Sequence, residues 1–294
     1  MNEDMPQILP WQGVDGFLVI NMDSSPERYS RFLETTGYYL PADKTERVSA
    51  VAGRELPTYG HEPWFTERTG ERARFWGGTA GCALSHRKAI MLAKSRGWRN
   101  VLIFEDDCVL EHAEIAGSVV AEALCCTKGR YLLYLGYNGP APFGTKRATL
   151  DHGVELWKTE GVLATHAYLV PESMYEPLLA LLPESDSDVW RWLSRYRAVD
   201  VFYRDFVPML TGARIYVLHP ILAGQAGGVS DITDSLSDTE ERIARDAPRP
   251  CYGVKRIMRA ITRPLRRLSI RLNSIRTHRR AIKGGFPGFG KRQK

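Results

Sequence analysis

Asn100-Val-Leu-Ile-Phe-Glu-Asp-Asp-Cys-Val-Leu110 decides the architecture. Its first half is a short apolar run of β-forming residues, the pattern of a strand buried on both faces, and it passes without a break into three acids. Open α/β sheets bind ligands at the carboxyl ends of their strands, and Glu105, Asp106 and Asp107 stand at such an end. Carboxylates this close repel one another unless a positive charge sits between them. A divalent cation carrying a diphosphate meets that need, and oxygen ligands suit magnesium or manganese. On the triplet alone, a solvated acidic turn or a helix N-terminal cluster would read the same way.

The alternation continues on both sides. Gly16-Phe-Leu-Val-Ile-Asn21 predicts a second buried strand, followed by a polar loop and a helix start at Ser25-Pro26-Glu27 with Ser25 as N-cap. Residues 53–78 mix Gly, Pro, aromatics and charges without period and predict a long surface loop. Its Trp64, Phe65, Phe75 and Trp76 would form an aromatic platform for a sugar ring or pack into the core. Ala80 to Arg96 predicts a helix closed by Gly97. After the acids come a helix at 112–127, strands at 131–136 and 161–170 with Pro171 as the stop, helices at 172–182 and 189–198, and a strand at 215–220. Such alternation predicts an α/β fold with a large parallel component. The body is placed at residues 1–235, an acidic-to-Pro linker at 236–250 and a basic tail at 251–294.

At 294 residues, with 44% hydrophobic and 10% aromatic content, the chain can bury a core, which excludes wholesale disorder. The formal net charge of +6 hides a split: residues 1–248 carry 25 Lys and Arg against 34 Asp and Glu, whereas residues 249–294 carry 15 Lys and Arg and no acid. The tail, not the body, is therefore suited to meet a polyanion. Five cysteines (Cys82, Cys108, Cys125, Cys126, Cys251) make an odd set without a C-x-x-C pair, which argues against a disulfide framework or zinc knuckle and for a reducing compartment. The N-terminal residues lack the basic and apolar regions of a secretory signal, and no apolar run reaches the roughly 18 residues that span a bilayer. The expectation is a cytoplasmic protein, peripheral on the cytosolic face of the inner membrane.

From Val254 the apolar residues fall at 254, 257, 258, 261, 265, 268, 272 and 275, an arc of about 100° on a helix, with Lys255, Arg256, Arg259, Arg263, Arg266, Arg267 and Arg271 off it. This predicts a basic amphipathic helix, kinked or broken near Pro264. Through residues 251–285 it would lie in an anionic membrane surface, at about 1 kcal/mol per basic residue. Docking of the stripe on the body, or binding of nucleic acid, are the alternatives. The lack of interleaved aromatics over 253–285 argues against nucleic acid.

Asn21, Asp23 and Arg28 form a second polar cluster, placed at a strand-to-helix switch to hydrogen-bond a nucleotide and its phosphates. FLVINMDSSPER (17–28), GCALSH (81–86), VLIFEDDCVL (101–110), YLLYLG (131–136), THAYLV (165–170) and HPILAGQAGGVSDI (219–232) form an ordered set. Through it, residues 16–232 resemble glycosyltransferase family 25, which includes lipooligosaccharide and collagen galactosyltransferases. The resemblance implies a GT-A fold with a mixed, mostly parallel sheet flanked by helices. It also implies a UDP-sugar donor, most often UDP-galactose, and a divalent metal, Mn2+ or Mg2+, held by an acidic motif of DxD type.

Donor-binding roles are implied for Asn21, Asp23, Arg28, Ser85, His86, Glu105, Asp106 and Gln225, and metal ligation for Asp107, Glu105 and His219. Gly81, Tyr168, Asp200 and Ser230-Asp231 match further family positions; Met22 and Thr165-His166 depart mildly, and Gly227-Gly228 departs more. An acceptor hydroxyl would attack the anomeric carbon while the metal stabilises the departing diphosphate. Inversion needs a carboxylate base on the opposite face, for which Asp200 and Asp231 are the candidates, either of them open to a purely structural role. The implied function is transfer of a sugar, galactose, to a saccharide or glycolipid acceptor such as a lipooligosaccharide or lipopolysaccharide core. The alternative is a catalytically inactive protein of this fold, or one acting on a nucleic-acid or protein acceptor, recruited by its basic tail.

Overall fold

The computed structural model describes residues 11–66, 70–229, 236–237, 246–251 and 253–286. Its elements are β1 (Gly16–Asn21), α1 (Pro26–Glu34), β2 (Thr45–Ser49), α2 (Glu71–Ser95), β3 (Asn100–Glu105), β4 (Cys108–Leu110), α3 (Ala113–Cys126), β5 (Tyr131–Tyr134), β6 (Phe143–Thr149), β7 (Glu155–Thr159), β8 (Ala167–Pro171), α4 (Tyr175–Leu179), α5 (Asp186–Tyr196), α6 (Val199–Asp205), α7 (Val207–Thr211), β9 (Arg214–His219), β10 (Ala223–Gln225), β11 (Gly228–Val229), β12 (Leu236–Ser237), β13 (Arg249–Pro250) and α8 (Gly253–Gly284). Nine of these strands form one sheet in the order β13-β6-β7-β9-β5-β8-β3-β1-β2. Only β7 and β8 run against the rest, so the sheet is mixed and mostly parallel. This is the α/β class read from the sequence.

The strand period of two explains the layers. Leu18, Ile20, Val101, Ile103, Tyr168 and Val170 face a core roofed by α2 and α4 to α6, whereas Phe17, Val19, Leu102, Phe104 and Leu169 face one closed by α3 and Phe32 of α1. Both faces of β1, β3 and β8 are thus covered, which is why these segments read as nearly continuous apolar runs.

Several boundaries differ from the sequence reading. The loop expected over 53–78 ends early, because α2 begins at Glu71 and carries Phe75, Trp76 and Gly77-Gly78 within it. Glycine pairs usually break helices, but here a close approach decides. A Cβ on Gly53 would lie 2.0 Å from the Gly77 carbonyl oxygen and 2.4 Å from the Gly81 nitrogen, so the loop after β2 lies directly on the helix. The strand expected at 161–170 starts only at Ala167, since Ala164 has φ of 79° and the chain before it is irregular. Ser25 stands at the N-cap of α1 without a side-chain capping bond, and Pro26 opens the helix. Within the tail, residues 253–284 form one helix, with Pro264 inside α8 and no break there.

Among the described residues of α8, those near its carboxyl end are sunk deepest into the body. Ala281 is buried, the His278 Nδ1 lies 2.6 Å from the Ser194 hydroxyl, and the buried Phe286 ring stacks on Trp76 at 4.3 Å and meets Phe65 edge-on at 5.4 Å. The Phe286 N–H donates to the Trp64 carbonyl at 2.7 Å. Of the two readings of the aromatic group at 64–76, the structure therefore shows packing: Phe65 and Trp76 are core residues that receive Phe286. Phe286→Ala would leave a ring-sized void and is expected to cost about 3 kcal/mol, read from the urea midpoint of the full chain.

Candidate functional site

β1 and β3 are parallel neighbours in register, with Ile20 opposite Glu105, so the polar residues that follow each strand emerge side by side. The chain turns at Asp106-Asp107 and returns as β4, which pairs antiparallel with β10 so that Cys108 faces Gln225. Three remote segments thereby converge at the carboxyl end of β3.

Each acid has its own surroundings. The Asp106 amide donates to the Ile20 carbonyl at 3.1 Å, and its carboxylate, 6% exposed, accepts from the Asn21 amide at 2.7 Å and from the Arg28 guanidinium. A buried carboxylate between a cation and an amide is a fixed part of the frame. Glu105 accepts from the Thr165 hydroxyl at 2.7 Å, and His86 Nε2 lies 3.4 Å from the same oxygen. Burial alone would push the Glu105 carboxyl up, but the hydrogen bond and charge of His86, with the bond from Thr165, hold it below the usual range.

Asp107 is the unsatisfied member. Among the described residues its side chain, 29% exposed, has Arg28 at 3.7 Å and only the long amide contacts of Gln225 at 3.3 and 3.4 Å. Burial, then the negative charge of Glu105, raise its carboxyl to about 7, against the pull of Arg28.

The support around these acids is hydrogen-bonded throughout. Arg47 of β2 donates to the Asn21 side chain at 2.8 Å and to Asp23 at 2.6 Å, and the Ser49 hydroxyl donates to Asp23 at 2.7 Å. Those two bonds, Ser49 first, hold the Asp23 carboxyl low. Asn138 donates to Gln225 at 2.7 Å, and the Ala226 amide donates to the Asp107 carbonyl at 2.7 Å. Gly136, after β5, gives the space for this return: a Cβ there would fall 1.8 Å from the Ala223 carbonyl oxygen and 2.5 Å from His166 Nε2.

The structure thus gathers Asn21, Asp23, Arg28, His86, Glu105, Asp106, Asp107 and Gln225. Asp200 belongs to the same end of the sheet. It opens α6, accepts from the Val201 amide at 2.7 Å and from the Ala164 amide, and its carboxyl is raised by burial and further by the charge of Glu105. Ser85 has a different place: it donates to the Gly81 carbonyl at 2.6 Å and accepts from the Val51 amide at 2.8 Å, fastening the loop after β2 to α2. His219 also stands apart. Two strands, β5 and β8, lie between β9 and β3, and its acidic neighbours are Glu155 and Asp246, with burial lowering its imidazole. It is not part of the carboxylate cluster, because β9 ends at His219 with two strands between it and β3, before the chain crosses to β10. Ser230 and Asp231 lie outside the described residues.

Arg47, Ser49, Asn138 and Thr165 are supporting residues that the sequence reading did not assign. Arg47 and Ser49 alternate along β2 toward the end of β1, a signal available only once that strand is recognised.

The donor set has a hard and a soft part. Cys82 Sγ, a His86 ring nitrogen and a Glu105 oxygen lie within 4.8 Å of one another. Metal binding needs the thiolate, and burial, with the charges of Glu105, Asp200 and Asp107, raises the Cys82 thiol well above its ordinary value. Asp107 with Glu105, by contrast, offers carboxylate oxygens, those of Asp107 incompletely neutralised, which fits a hard divalent cation.

No family model matches the chain, and no curated protein does. Among solved structures it is similar to one described as mannose-1-phosphate geranyltransferase from Thermus thermophilus, with 14% identity over 70% of this chain and 74% of that chain and a TM-score of 0.38.

Proposed function

We propose that this chain is a metal-assisted glycosyltransferase of the family 25 kind, moving a sugar, galactose, from a UDP-sugar to a saccharide acceptor such as a lipooligosaccharide core. The observation that carries the reading is Asp107: a carboxylate at the end of a central strand, within the field of Glu105 and offset only by the more distant Arg28 at 3.7 Å, so that its carboxyl is raised to about 7. Such a site stores electrostatic strain that a divalent ion and a diphosphate relieve.

Asp107 and Glu105 would hold Mn2+ or Mg2+, which neutralises the charge developing on a departing diphosphate. The rest falls to the chain itself. Arg28, anchored on Asp106, presents guanidinium charge to the phosphates, and Asn21 and Asp23, fixed by Arg47, line the nucleotide side. Gln225, turned by Asn138, reaches toward Asp107. Asp200, its carboxyl raised by burial, is the base that accepts the proton of the attacking hydroxyl.

Calorimetry with UDP-galactose tests this. Binding is expected to tighten at least about tenfold when Mn2+ is present, with slow release of free sugar. Absence of binding and hydrolysis across a panel of UDP-sugars would sink the proposal, and binding without any turnover would favour an inactive relative.

A further inference from the structure

We infer that α8 is a membrane-surface anchor, its outward apolar stripe entering an anionic lipid interface while its opposite side stays seated on the body. The sequence left open whether the stripe docks on the body, and the fold settles which side does. Ile257, Ile261, Leu265, Leu268, Leu272 and Ile275 are 44–67% exposed in the folded chain. At about 100° per residue they share an arc of about 80°, and at about 1.5 Å per residue they form a line about 27 Å long.

The body is met by other residues. Ile270 packs on the core, Ser274, Thr277 and His278 are half-buried and Ala281 is buried, a row roughly opposite the stripe. Arg266 on the body side pairs with Glu160, and Phe286 locks the end of the helix. The helix is therefore seated by a mostly small and polar face, and its apolar face is turned to solvent in a fixed direction.

Charge selects the occupant. Exposed Arg271 borders the stripe on one side and exposed Arg276 and Arg280 on the other, and residues 249–294 contain no acid. A second copy of α8 laid against the stripe would bring arginines against arginines. Nucleic acid would engage the arginines and leave the stripe in water. An anionic bilayer surface takes both, the side chains of the stripe below the headgroups and the guanidinium groups among them. This inference stands independently of the donor chemistry.

The full chain should co-sediment with vesicles of phosphatidylglycerol and phosphatidylcholine, and bind phosphatidylcholine vesicles at least about tenfold more weakly. Combining Leu265→Gln, Leu268→Gln and Leu272→Gln should weaken binding to the anionic vesicles at least about tenfold while leaving the thermal midpoint unchanged, because these side chains are already in water. Equal binding to neutral vesicles would overturn the inference, as would full retention by the triple variant. A dimer dissolved by the same substitutions would assign the stripe to a second copy. Duplex DNA binding that survives the triple variant, with no vesicle binding by the parent chain, would assign the arginines to nucleic acid.

Discussion

Arg28→Met is expected to lose about 4 kcal/mol of folding stability and donor binding together. Asp106, 6% exposed, has its charge opposed by Arg28, and the Asn21 amide that also donates to it carries no charge. Removing Arg28 takes from a buried carboxylate the cation hydrogen-bonded to it, which costs more than the pair contributed. A second substitution separates the two consequences. Asp106→Asn in the Arg28→Met background removes the buried charge that Arg28 opposed and should recover much of the urea midpoint. It should not restore UDP-galactose binding, because the guanidinium proposed to meet the phosphates is still missing. An Arg28→Met chain that kept its midpoint would show that Asp106 is not held as described.

The sheet centre was legible for the same reason that Arg28 matters. β1 and β3 are covered on both faces, so their residues had to be apolar until the point where the site begins, and the change to Asn21 or to Glu105-Asp106-Asp107 marked that point. β2 was not legible: among Thr45-Glu46-Arg47-Val48-Ser49 only Val48 is buried, and a strand with one apolar residue leaves no period to read. With β2 hidden, Arg47 had no address, although it positions both Asn21 and Asp23. β6 and β7 escaped notice likewise, as their outer residues Lys146, Arg147 and Lys158 interrupt the pattern. The start of α2 was obscured by Gly77-Gly78, whose place in a helix depends on the loop at Gly53, a contact distant in sequence. The stripe on α8 was plain in the sequence, but its direction depends on Phe286 finding Trp76, which no local pattern records.

Asp107→Asn should behave in the opposite way to Arg28→Met: stability is kept or gained while sugar transfer falls about 1,000-fold. The sign follows from the carboxyl at about 7 in the folded chain against an ordinary value of 3.8. Between about pH 4 and pH 7 the folded chain holds more protons than the unfolded one, so without metal its stability falls as pH rises through that window and stays at the lower level above it. Asparagine removes the titrating group, and the variant should therefore gain most over the parent at pH 8 and least near pH 4, read as thermal midpoints in chelator. Saturating Mn2+ cancels the dependence in the parent. The ion binds the deprotonated form, so its affinity should climb about tenfold per pH unit up to about 7 and then level off. In the asparagine variant that pH dependence should disappear along with most of the affinity. A site whose own acid weakens the fold at the pH where it binds metal is a site kept for ligand and not for packing. Should Asp107→Asn instead lower the midpoint at pH 8, the carboxylate would be a structural partner of Gln225 and Arg28, and the cation would have to be sought elsewhere.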